Sequence, residues 1–512
     1  MARYAAIDIG SNSIRMEAAE VVAGSPPRIL ASDREVTRLG QSVFQSGRIS
    51  EDSMELTCSV LTRMAAAYRP LDLAGVRAVG TASVRDARNQ AEFLERASAA
   101  LGTPVEVISG REEARLIEMG VQSRWPHPRQ RVLIVDIGGG SVEIIASEEG
   151  RMRDAVSKPL GAVRLREIFL GSDPPSATEL HRMHDYIQER LAGVPHRFGP
   201  VHWDSFIATS GTAAAALCAI AGVPRLKRDR ADRVRASTAQ VRKLARKLSE
   251  MSLQERRRVT GIGPRRAEII VPGVTLLLSV LEHFQAHSVS YSAAGVRDGI
   301  IADLAARGIG RERSELSREQ RKEVERICLR FGVPVKHGRK VSALAGTLFN
   351  EFYTLHGLAP AYGKLLQAAA YLHDAGHYIN DQSHHKHSYY LVANSDVSGF
   401  TSREREFIAN LCRYHRKAMP AADHANTRGL DPEERRALQL LIPLLRIADN
   451  LDRSGEQRID SIECQVRNGQ PQVALVSSTD IELEQWAAER AAEAFRQIYG
   501  RPLTILKAAG PR

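Results

Sequence analysis

The chain has 512 residues, 43% of them hydrophobic, which is enough to form several globular domains. Its formal net charge of +11 favours an anionic partner, such as a phosphorylated metabolite or an inorganic polyanion. The five cysteines form no CxxC pair, which excludes a disulfide framework and a zinc knuckle, and the most apolar stretch, residues 269–281, is too short to span a bilayer.

Residues 1–125 alternate strand and helix patterns and are predicted to form one α/β lobe. Strands are predicted at Tyr4–Ile9, Ser13–Val22, Gly75–Gly80 and Pro104–Ile108, and helices at Glu51–Tyr68, Asp86–Leu101 and Arg111–Arg124. The first strand begins within a few residues of the N-terminus. We therefore expect no signal peptide, and the spaced cysteines favour a cytoplasmic protein.

Residues 126–307 repeat this alternation after a linker, Trp125-Pro126-His127-Pro128, and are predicted to form a second α/β lobe. Strands are predicted at Val132–Asp136, Val142–Ser147, Phe206–Thr209 and Ser288–Ser292, with a helix at Thr212–Ala221. Strands that alternate with helices predict largely parallel pairing in each lobe. The dense basic stretch between Arg225 and Arg266 predicts a lane for a polyanion.

Two short segments, residues 8–13 and 136–141, have nearly the same chemistry. Each ends a strand with Asp-x-Gly and continues with small hydroxyl or glycine residues. The aspartate can hold a divalent cation, the glycines let backbone N–H groups approach phosphate oxygens, and the serines add donors. The pair predicts a duplicated domain with a cleft that holds a polyphosphate.

A third segment, residues 109–115, begins a predicted helix. Ser109 is a suitable N-cap, and Glu112 completes a capping box with it. Glu113 has no such structural role and could orient and deprotonate a water beside bound phosphates. The alternative is a solvent-facing glutamate that the helix dipole favours.

Together the motifs of the first 300 residues resemble the Ppx/GppA family, the exopolyphosphatases and guanosine pentaphosphate phosphohydrolases. The matching segments are 8–15 (DIGSNSIR), 80–89 (GTASVRDARN), 109–115 (SGREEAR), 135–143 (VDIGGGSVE), 209–212 (TSGT) and 294–299 (AGVRDG). This family belongs to the actin-like superfamily. The resemblance therefore implies an α/β fold class with two actin-like (ribonuclease-H-like) lobes.

The resemblance also implies roles for individual residues. Glu113 matches the catalytic base. The acidic residues matched to a Mg²⁺ or Mn²⁺ site are Asp8, Asp136 and Glu143. The residues matched to substrate binding are Ser11, Asn12, Ser13, Arg85, Gly138, Gly139, Gly140, Ser141, Ser210, Gly211, Thr212 and Arg266.

After residue 307 the pattern becomes helical, which predicts an all-α domain over residues 308–457. Its helices are predicted within 311–331 and at Lys340–His356, Tyr362–His373, Ser402–Arg413 and Pro432–Asp449. Residues 458–512 then predict a small α+β appendix: a strand, a turn at Asn468-Gly469, a strand, a helix at Ile481–Ile498 and a last strand.

The helical domain resembles the HD phosphohydrolase superfamily. The residues that carry this resemblance, in order, are His337, His373, Asp374, His415 and Asp449. Such a set implies one or two divalent cations, with a transition metal suited to the imidazole and carboxylate ligands. His387 is our choice for an additional ligand, with His384 and His385 as alternatives. A metal-free scaffold for dimerisation or substrate binding is the other interpretation.

The resemblance implies an exopolyphosphatase, a metal-dependent hydrolase that removes the terminal phosphate of inorganic polyphosphate and releases orthophosphate. It also implies a homodimer, and we expect no membrane and no specific nucleic acid as partner. A guanosine pentaphosphate 5′-phosphohydrolase, or an enzyme with both activities, would use the same site. An actin-like ATP-binding kinase or chaperone is a more distant alternative, and a non-catalytic polyphosphate or alarmone sensor is another.

Overall fold

The computed structural model of this protein describes residues 2–22, 24–308, 314–421, 423–467 and 470–508. The contacts within the chain divide it into two compact units, an N-terminal unit of residues 1–310 and a C-terminal unit of residues 311–512. Among the described helices, none combines the length and the apolar character that crossing a membrane requires.

The first lobe of the N-terminal unit is built on a five-stranded sheet with the order β3-β2-β1-β4-β5. Its strands are β1 (Ala2–Ile9), β2 (Ile14–Val21), β3 (Arg28–Glu35), β4 (Gly75–Gly80) and β5 (Val105–Val107). Its helices are α1 (Leu39–Ser46), α2 (Glu51–Tyr68), α3 (Ala82–Asp86), α4 (Gln90–Leu101) and α5 (Gly110–Arg124). Strands β1, β2 and β3 pair antiparallel, whereas β1, β4 and β5 pair parallel.

The second lobe is built on a six-stranded sheet with the order β10-β11-β9-β6-β7-β8. Its strands are β6 (Arg131–Ile137), β7 (Val142–Glu148), β8 (Arg151–Lys158), β9 (Ser205–Thr209), β10 (Arg235–Ser237) and β11 (Ser288–Tyr291). Its helices are α6 (Ala162–Phe169), α7 (Ala177–Leu191), α8 (Val194–Phe198), α9 (Ser210–Ala221), α10 (Thr238–Glu250), α11 (Leu253–Arg258), α12 (Pro264–Ala267), α13 (Ile270–His283) and α14 (Val296–Gly308).

The two sheets repeat one topology. Strands β8-β7-β6-β9-β11 follow the order of β3-β2-β1-β4-β5, and β10 is added antiparallel to β11 at one edge. The prediction of largely parallel pairing is wrong for the first three strands of each lobe, which form antiparallel meanders. The sequence missed β3 and β8 because both are edge strands rich in charged residues, with little apolar alternation.

Helices α5 and α14 pack against each other between the two sheets. Ala114, Ile117 and Val121 of α5 belong to a buried cluster with the second sheet. Leu116 of α5 and Ile300 of α14 belong to another cluster with the first sheet. Because α5 is fixed to both lobes, the residues of its first turn, including Glu113, are held where the lobes meet.

The close approach of α5 and α14 depends on Gly299. A Cβ atom at this position would lie 1.7 Å from the backbone oxygen of Leu116. We expect Gly299→Ala to cost about 3 kcal/mol or more, since backbone atoms on both helices must move apart. Gly193→Ala is the control, because its Cβ would meet nothing within 4 Å, and it should change stability by less than about 0.5 kcal/mol. Equal melting temperatures of the two variants in calorimetry would contradict this packing.

The C-terminal unit joins helices to a three-stranded sheet with the order β12-β13-β14. Its helices are α15 (Arg318–Arg330), α16 (Val335–Glu351), α17 (Tyr353–His356), α18 (Ala361–Leu372), α19 (His384–Ala393), α20 (Ser402–Tyr414), α21 (Pro432–Asn450) and α22 (Glu482–Tyr499). Its strands are β12 (Ser461–Arg467), β13 (Gln470–Val476) and β14 (Thr504–Lys507). The predicted turn at Asn468-Gly469 lies outside the described residues.

One hydrophobic core runs through this unit. It contains Leu344 and Leu438 from the helices together with Val473 and Leu475 from the sheet. The helices and the sheet therefore bury their apolar faces against each other. The predicted domain boundaries at 125/126, 307/308 and 457/458 stay predictions.

Candidate active site

A cleft of 330 Å³ opens in the N-terminal unit where the two Asp-x-Gly loops meet. The loops have the same internal hydrogen bond: Gly10 N donates to Ser13 O at 3.2 Å, and Gly138 N donates to Ser141 O at 3.0 Å. A Cβ atom on Gly139 would lie 3.0 Å from Cβ of Ser11, so the loops touch. The predicted duplication is therefore present as two equivalent turns on either side of one cleft.

A third loop, residues 209–211, contributes to the cleft at the start of α9. Ser210 has φ of 80°, and its Oγ donates to Ile137 O at 2.8 Å, which ties this turn to the end of β6. A Cβ atom on Gly211 would lie 2.2 Å from Nη2 of Arg266 and 3.4 Å from Nη2 of Arg15. Two guanidinium groups thus lie at a helix N-terminus, an arrangement that suits an anion.

Glu113 reaches the same cleft from the first turn of α5. Its side chain is buried, and its Oε2 has no hydrogen-bond partner among the described residues. The nearest cation is Nη1 of Arg85, 3.6 Å from that oxygen. Burial raises the pKa of Glu113 well above its usual value, and the nearby Glu143 raises it further. A carboxylate in this state is a stronger base than a solvated one.

The preceding residue, Glu112, has a different role. Its carboxylate accepts hydrogen bonds from Arg115 Nε at 2.8 Å and from Arg77 Nη2 at 3.2 Å. Burial by itself would raise the pKa of Glu112, but the charges of Arg115 and Arg77 outweigh it and keep the pKa low. Its backbone N–H donates to Ser109 Oγ, as predicted for the helix cap. Glu112 is therefore a structural ion-pair partner, and Glu113 is the glutamate available for chemistry.

The predicted metal ligands lie around Glu113. Asp136 and Glu143 are directly opposite on β6 and β7, and Ser157 Oγ donates to Glu143 at 2.8 Å. Burial and then the charge of Glu143 raise the pKa of Asp136 to about 8, and burial also raises the pKa of Asp8. Carboxylates that repel one another in this way favour the binding of a cation. Three ligand atoms of these residues do not lie within 4.8 Å of one another in the described structure, but Mg²⁺ needs only one or two carboxylates when phosphates complete its shell.

The raised pKa of Asp136 predicts a pH dependence of stability in a chelator. The folded chain keeps a proton that the unfolded chain releases near pH 4, so stability is present at low pH and is lost as pH rises toward 8. In this window, each pH unit lowers the free energy of unfolding by about 1.4 kcal/mol for each proton that only the folded chain retains. We expect the melting temperature to fall from pH 5 to pH 8, and Asp136→Asn to reduce the fall. Parallel pH curves for the variant and the wild type would contradict this.

The structure brings most of the predicted substrate-binding residues to the cleft. The cleft is lined by Ser11, Asn12, Ser13, Gly138, Gly139, Gly140, Ser141, Ser210, Gly211 and Arg266. Thr212 lies behind this wall, where its hydroxyl accepts from Arg266 Nη1 at 3.5 Å. Arg85 and Glu143 lie beside the lining: Arg85 Nη1 is 3.6 Å from Glu113 Oε2, and Glu143 is directly opposite Asp136 on the neighbouring strand.

The cleft is also lined by arginines that the sequence patterns did not identify as site residues. They are Arg15, Arg34, Arg124, Arg228 and Arg297. Arg15 and Arg297 stand inside the matched motifs, so the motifs held a signal that could have found them. Arg34 lies on the unpredicted strand β3, and Arg228 was one of many basic residues between Arg225 and Arg266.

The basic stretch itself divides into two groups. Arg228 and Arg266 reach the cleft. Other members pair with acids instead: Arg242 with Glu282, Arg256 with Asp173, Arg257 with Glu268, and Arg265 with Glu35. The predicted polyanion lane is therefore supported only where the stretch borders the cleft.

The C-terminal unit brings its histidines and aspartates together separately. Two groups have ligand atoms within 4.8 Å of one another, namely His337, His373 and Asp449, and Asp374, His377 and His384. His373 Nε2 is close to an aspartate of each group: it lies 3.2 Å from Asp449 Oδ1 and 3.6 Å from Asp374 Oδ2. His415 lies beside both, with its Nε2 3.2 Å from Nε2 of His384.

The orientation of each imidazole follows from its other nitrogen. Nδ1 of His373, His384 and His415 donates to a backbone oxygen, at 2.9, 3.1 and 2.7 Å respectively. Nδ1 of His337 is 2.8 Å from Asp452 Oδ2. All four rings therefore turn Nε2 toward the cluster. Lone pairs on two Nε2 atoms that face each other need a shared cation, either a proton or a metal ion.

His384, and not His387, has a ligand atom in one of these two groups. The face of α19 that meets His373 carries His384 and, one turn later, Ser388, whose Oγ donates to the backbone oxygen of His373. His387 lies off this face, and it belongs to neither of the two groups of ligand atoms found among the described residues. His385 is buried next to His384, with the two ring centres 6.0 Å apart, but it belongs to neither group of ligand atoms found among the described residues. The choice of His387 is thus replaced by one of its alternatives.

Comparison with known proteins agrees with this description. The model of the Ppx/GppA phosphatase family matches residues 18–307, and that of the Ppx/GppA phosphatase domain III matches residues 320–490. The solved Aquifex aeolicus PPX-GPPA enzyme is 30% identical with a TM-score of 0.52, over 59% of this chain and 99% of that chain. An exopolyphosphatase from Cytophaga hutchinsonii is 26% identical with a TM-score of 0.55, over 59% and 98%. The predicted two actin-like lobes are confirmed.

Proposed function

Because the chain belongs to the Ppx/GppA phosphatase family, we propose that it is an exopolyphosphatase that hydrolyses the terminal phosphate of inorganic polyphosphate and releases orthophosphate. The observation that carries this proposal is the position of Glu113, a buried carboxylate without a hydrogen-bond partner for Oε2, in a cleft lined by glycine loops and arginines. A base placed beside bound phosphates is what hydrolysis of a phosphoanhydride needs.

The proposed mechanism assigns a role to each wall of the cleft. The loops at residues 10–13 and 138–141 bind the terminal phosphate through backbone N–H and serine hydroxyl groups. Glu113 accepts the proton of the attacking water, which adds to the terminal phosphorus in line with the bond that breaks. The shortened chain leaves as an anion, and the guanidinium groups of Arg15 and Arg266 stabilise its charge.

A divalent cation fits this site because the carboxyl groups of Asp8, Asp136 and Glu143 repel one another when no positive charge lies between them. Family members depend on a divalent metal, and Mg²⁺ or Mn²⁺ is the ion we propose here. When bound, it would neutralise phosphate charge and polarise the scissile bond. Asp8 and Asp136 would hold it at the two strand ends.

The assay that tests the proposal measures orthophosphate released from long-chain polyphosphate in the presence of Mg²⁺. Release of one phosphate after another from the chain end supports the proposal. The family also includes hydrolysis of guanosine pentaphosphate, whose 5′ terminal phosphate presents the same chemistry to Glu113. Release from that nucleotide alone would replace polyphosphate as the substrate while leaving the roles of the site residues intact.

For the C-terminal unit, we propose a metal site formed by the imidazoles of His337, His373, His384 and His415 with the carboxylates of Asp374 and Asp449. The inward Nε2 atoms and the two carboxylates support it, because they are the ligands that transition metals prefer. The likeness of this unit to HD phosphohydrolases and dimerisation of the chain stay predictions.

A further inference from the structure

The loop at residues 138–141 is held from behind by the first turn of helix α6. The backbone N–H groups of Val163 and Arg164 both donate to Gly139 O, at 2.9 and 3.1 Å. The side chain of Arg164 adds a further bond, since its Nε donates to Gly140 O at 2.8 Å. The position of this loop therefore follows the position of α6.

The same guanidinium group also contacts the first lobe. Its carbon lies 4.0 Å from the ring centre of Phe44 on α1, which is within the range of a cation–π contact. Its Nη2 donates to a carboxylate oxygen of Asp86 on α3. Phe44 in turn packs against the hydrophobic clusters of both lobes. The side chain of Arg164, only 15% exposed, thus joins a loop of the second lobe to two helices of the first.

The peptide that Arg164 contacts lies in the wall of the cleft, which Gly140 and Ser141 both line. In a trans peptide the C=O and N–H groups point in opposite directions. The Ser141 N–H therefore points away from Arg164 while Gly140 O accepts the hydrogen bond from Arg164. A Cβ atom on Gly140 would lie 2.7 Å from Ser11 Oγ in the other loop, so a shift of this peptide would also change the distance between the two loops.

We propose that Arg164 is a positioning residue that fixes the Gly140–Ser141 peptide and holds the loop at residues 138–141 against the first lobe. Arg164 is not among the described residues that line the cleft, so it acts through the loop and not on the phosphate itself. This proposal rests on the proposed function, since it takes the loop to bind the terminal phosphate. Polyphosphate and guanosine pentaphosphate both present such a phosphate, so Arg164 should matter equally for both.

The test compares two arginine variants on the same helix. We expect Arg164→Gln to lower kcat for orthophosphate release by about tenfold, as the loss of one charge-assisted hydrogen bond predicts. KM should change less, because a misplaced phosphate still binds but is out of line with the attacking water. The factor should be the same for every substrate that the enzyme hydrolyses. Arg166→Gln is the control, because Arg166 is 38% exposed and pairs with Glu167 of its own helix, and it should keep the wild-type kcat.

A double-variant cycle tests the link between the lobes. Asp86→Asn should also lower kcat, by a smaller factor, because Arg164 keeps its contact with Phe44. Adding Asp86→Asn to Arg164→Gln should cause no further loss, because the shared contact is already broken. A contact that only stabilises the fold would lower the melting temperature of these variants and leave kcat, measured well below that temperature, unchanged.

Hydrogen exchange tests the same link without turnover. Exchange at residues 138–141 and in α1 should be faster in Arg164→Gln than in Arg166→Gln, while exchange in the central strands of both sheets stays the same. Equal kcat of the two variants would overturn the positioning role, and so would equal exchange at residues 138–141. Failure of the proposed function would instead appear as a wild-type protein that releases no orthophosphate from either substrate, and the exchange comparison would still decide whether Arg164 holds the loop.

Discussion

Glu113→Gln should lower kcat for orthophosphate release by about 10²- to 10⁴-fold, because the amide cannot accept the proton of the attacking water. The substitution keeps the shape of the side chain and removes a charge that Glu143 and Asp136 repel. Binding of polyphosphate and the melting temperature in a chelator should therefore be equal to those of the wild type or higher. Steady-state phosphate release and a thermal melt measure the two effects.

Two other glutamates provide the controls. Glu95→Gln on α4 changes an exposed side chain and should leave turnover unchanged. Glu112→Gln should destabilise the fold by about 3–5 kcal/mol, since it breaks buried ion pairs with Arg77 and Arg115. Near-normal turnover of Glu113→Gln would remove this residue from the mechanism, and a large loss of stability in the same variant would make its role structural.

The second large effect concerns the C-terminal unit. His373→Ala combined with Asp374→Ala should abolish the metal content of the purified protein. His373 belongs to one group of ligand atoms and Asp374 belongs to the other, so the double variant disrupts both groups. His384→Ala should lower the content, whereas His387→Ala should not. Metal analysis of the four proteins, purified in parallel from one medium, measures this. Equal content in the wild type and the double variant would show that the cluster holds a proton only.

The same cluster predicts how metal affinity changes with pH. Burial lowers the pKa of His373, but Asp374 and Asp449 outweigh it and raise the pKa to about 9. A metal ion must displace this proton, so affinity should fall as pH decreases from about 9. A titration with Mn²⁺ or Zn²⁺ at several pH values would reveal the dependence.

The sequence predicted the parts of the fold whose physical cause is local. Asp8 and Asp136 stand near the ends of mostly apolar strands, and the glycines after them mark turns, so both loops and the cleft between them could be predicted from the residues. The edge strands β3 and β8 were not predicted, because the sequence of a charged strand at a sheet edge resembles that of a loop. Arg34 was missed for the same reason.

Other differences arise from tertiary contacts. Helix α13 runs through Pro272 and Gly273, which interrupt the apolar stretch in the sequence, because proline is tolerated in the first turn of a helix. A Cβ atom on Gly273 would lie 2.6 Å from Thr212, so the glycine permits close packing on α9. The choice between His384 and His387 likewise depended on which face of α19 meets His373, which no local pattern encodes.

The substrate is the central claim, and one comparison tests it most directly. The measurement is kcat/KM for orthophosphate release from long-chain polyphosphate and from guanosine pentaphosphate, with the same enzyme preparation and Mg²⁺ concentration. The proposed exopolyphosphatase, with Glu113 in a cleft lined by glycine loops and arginines, predicts the higher value for polyphosphate. A higher value for guanosine pentaphosphate would contradict the proposed exopolyphosphatase.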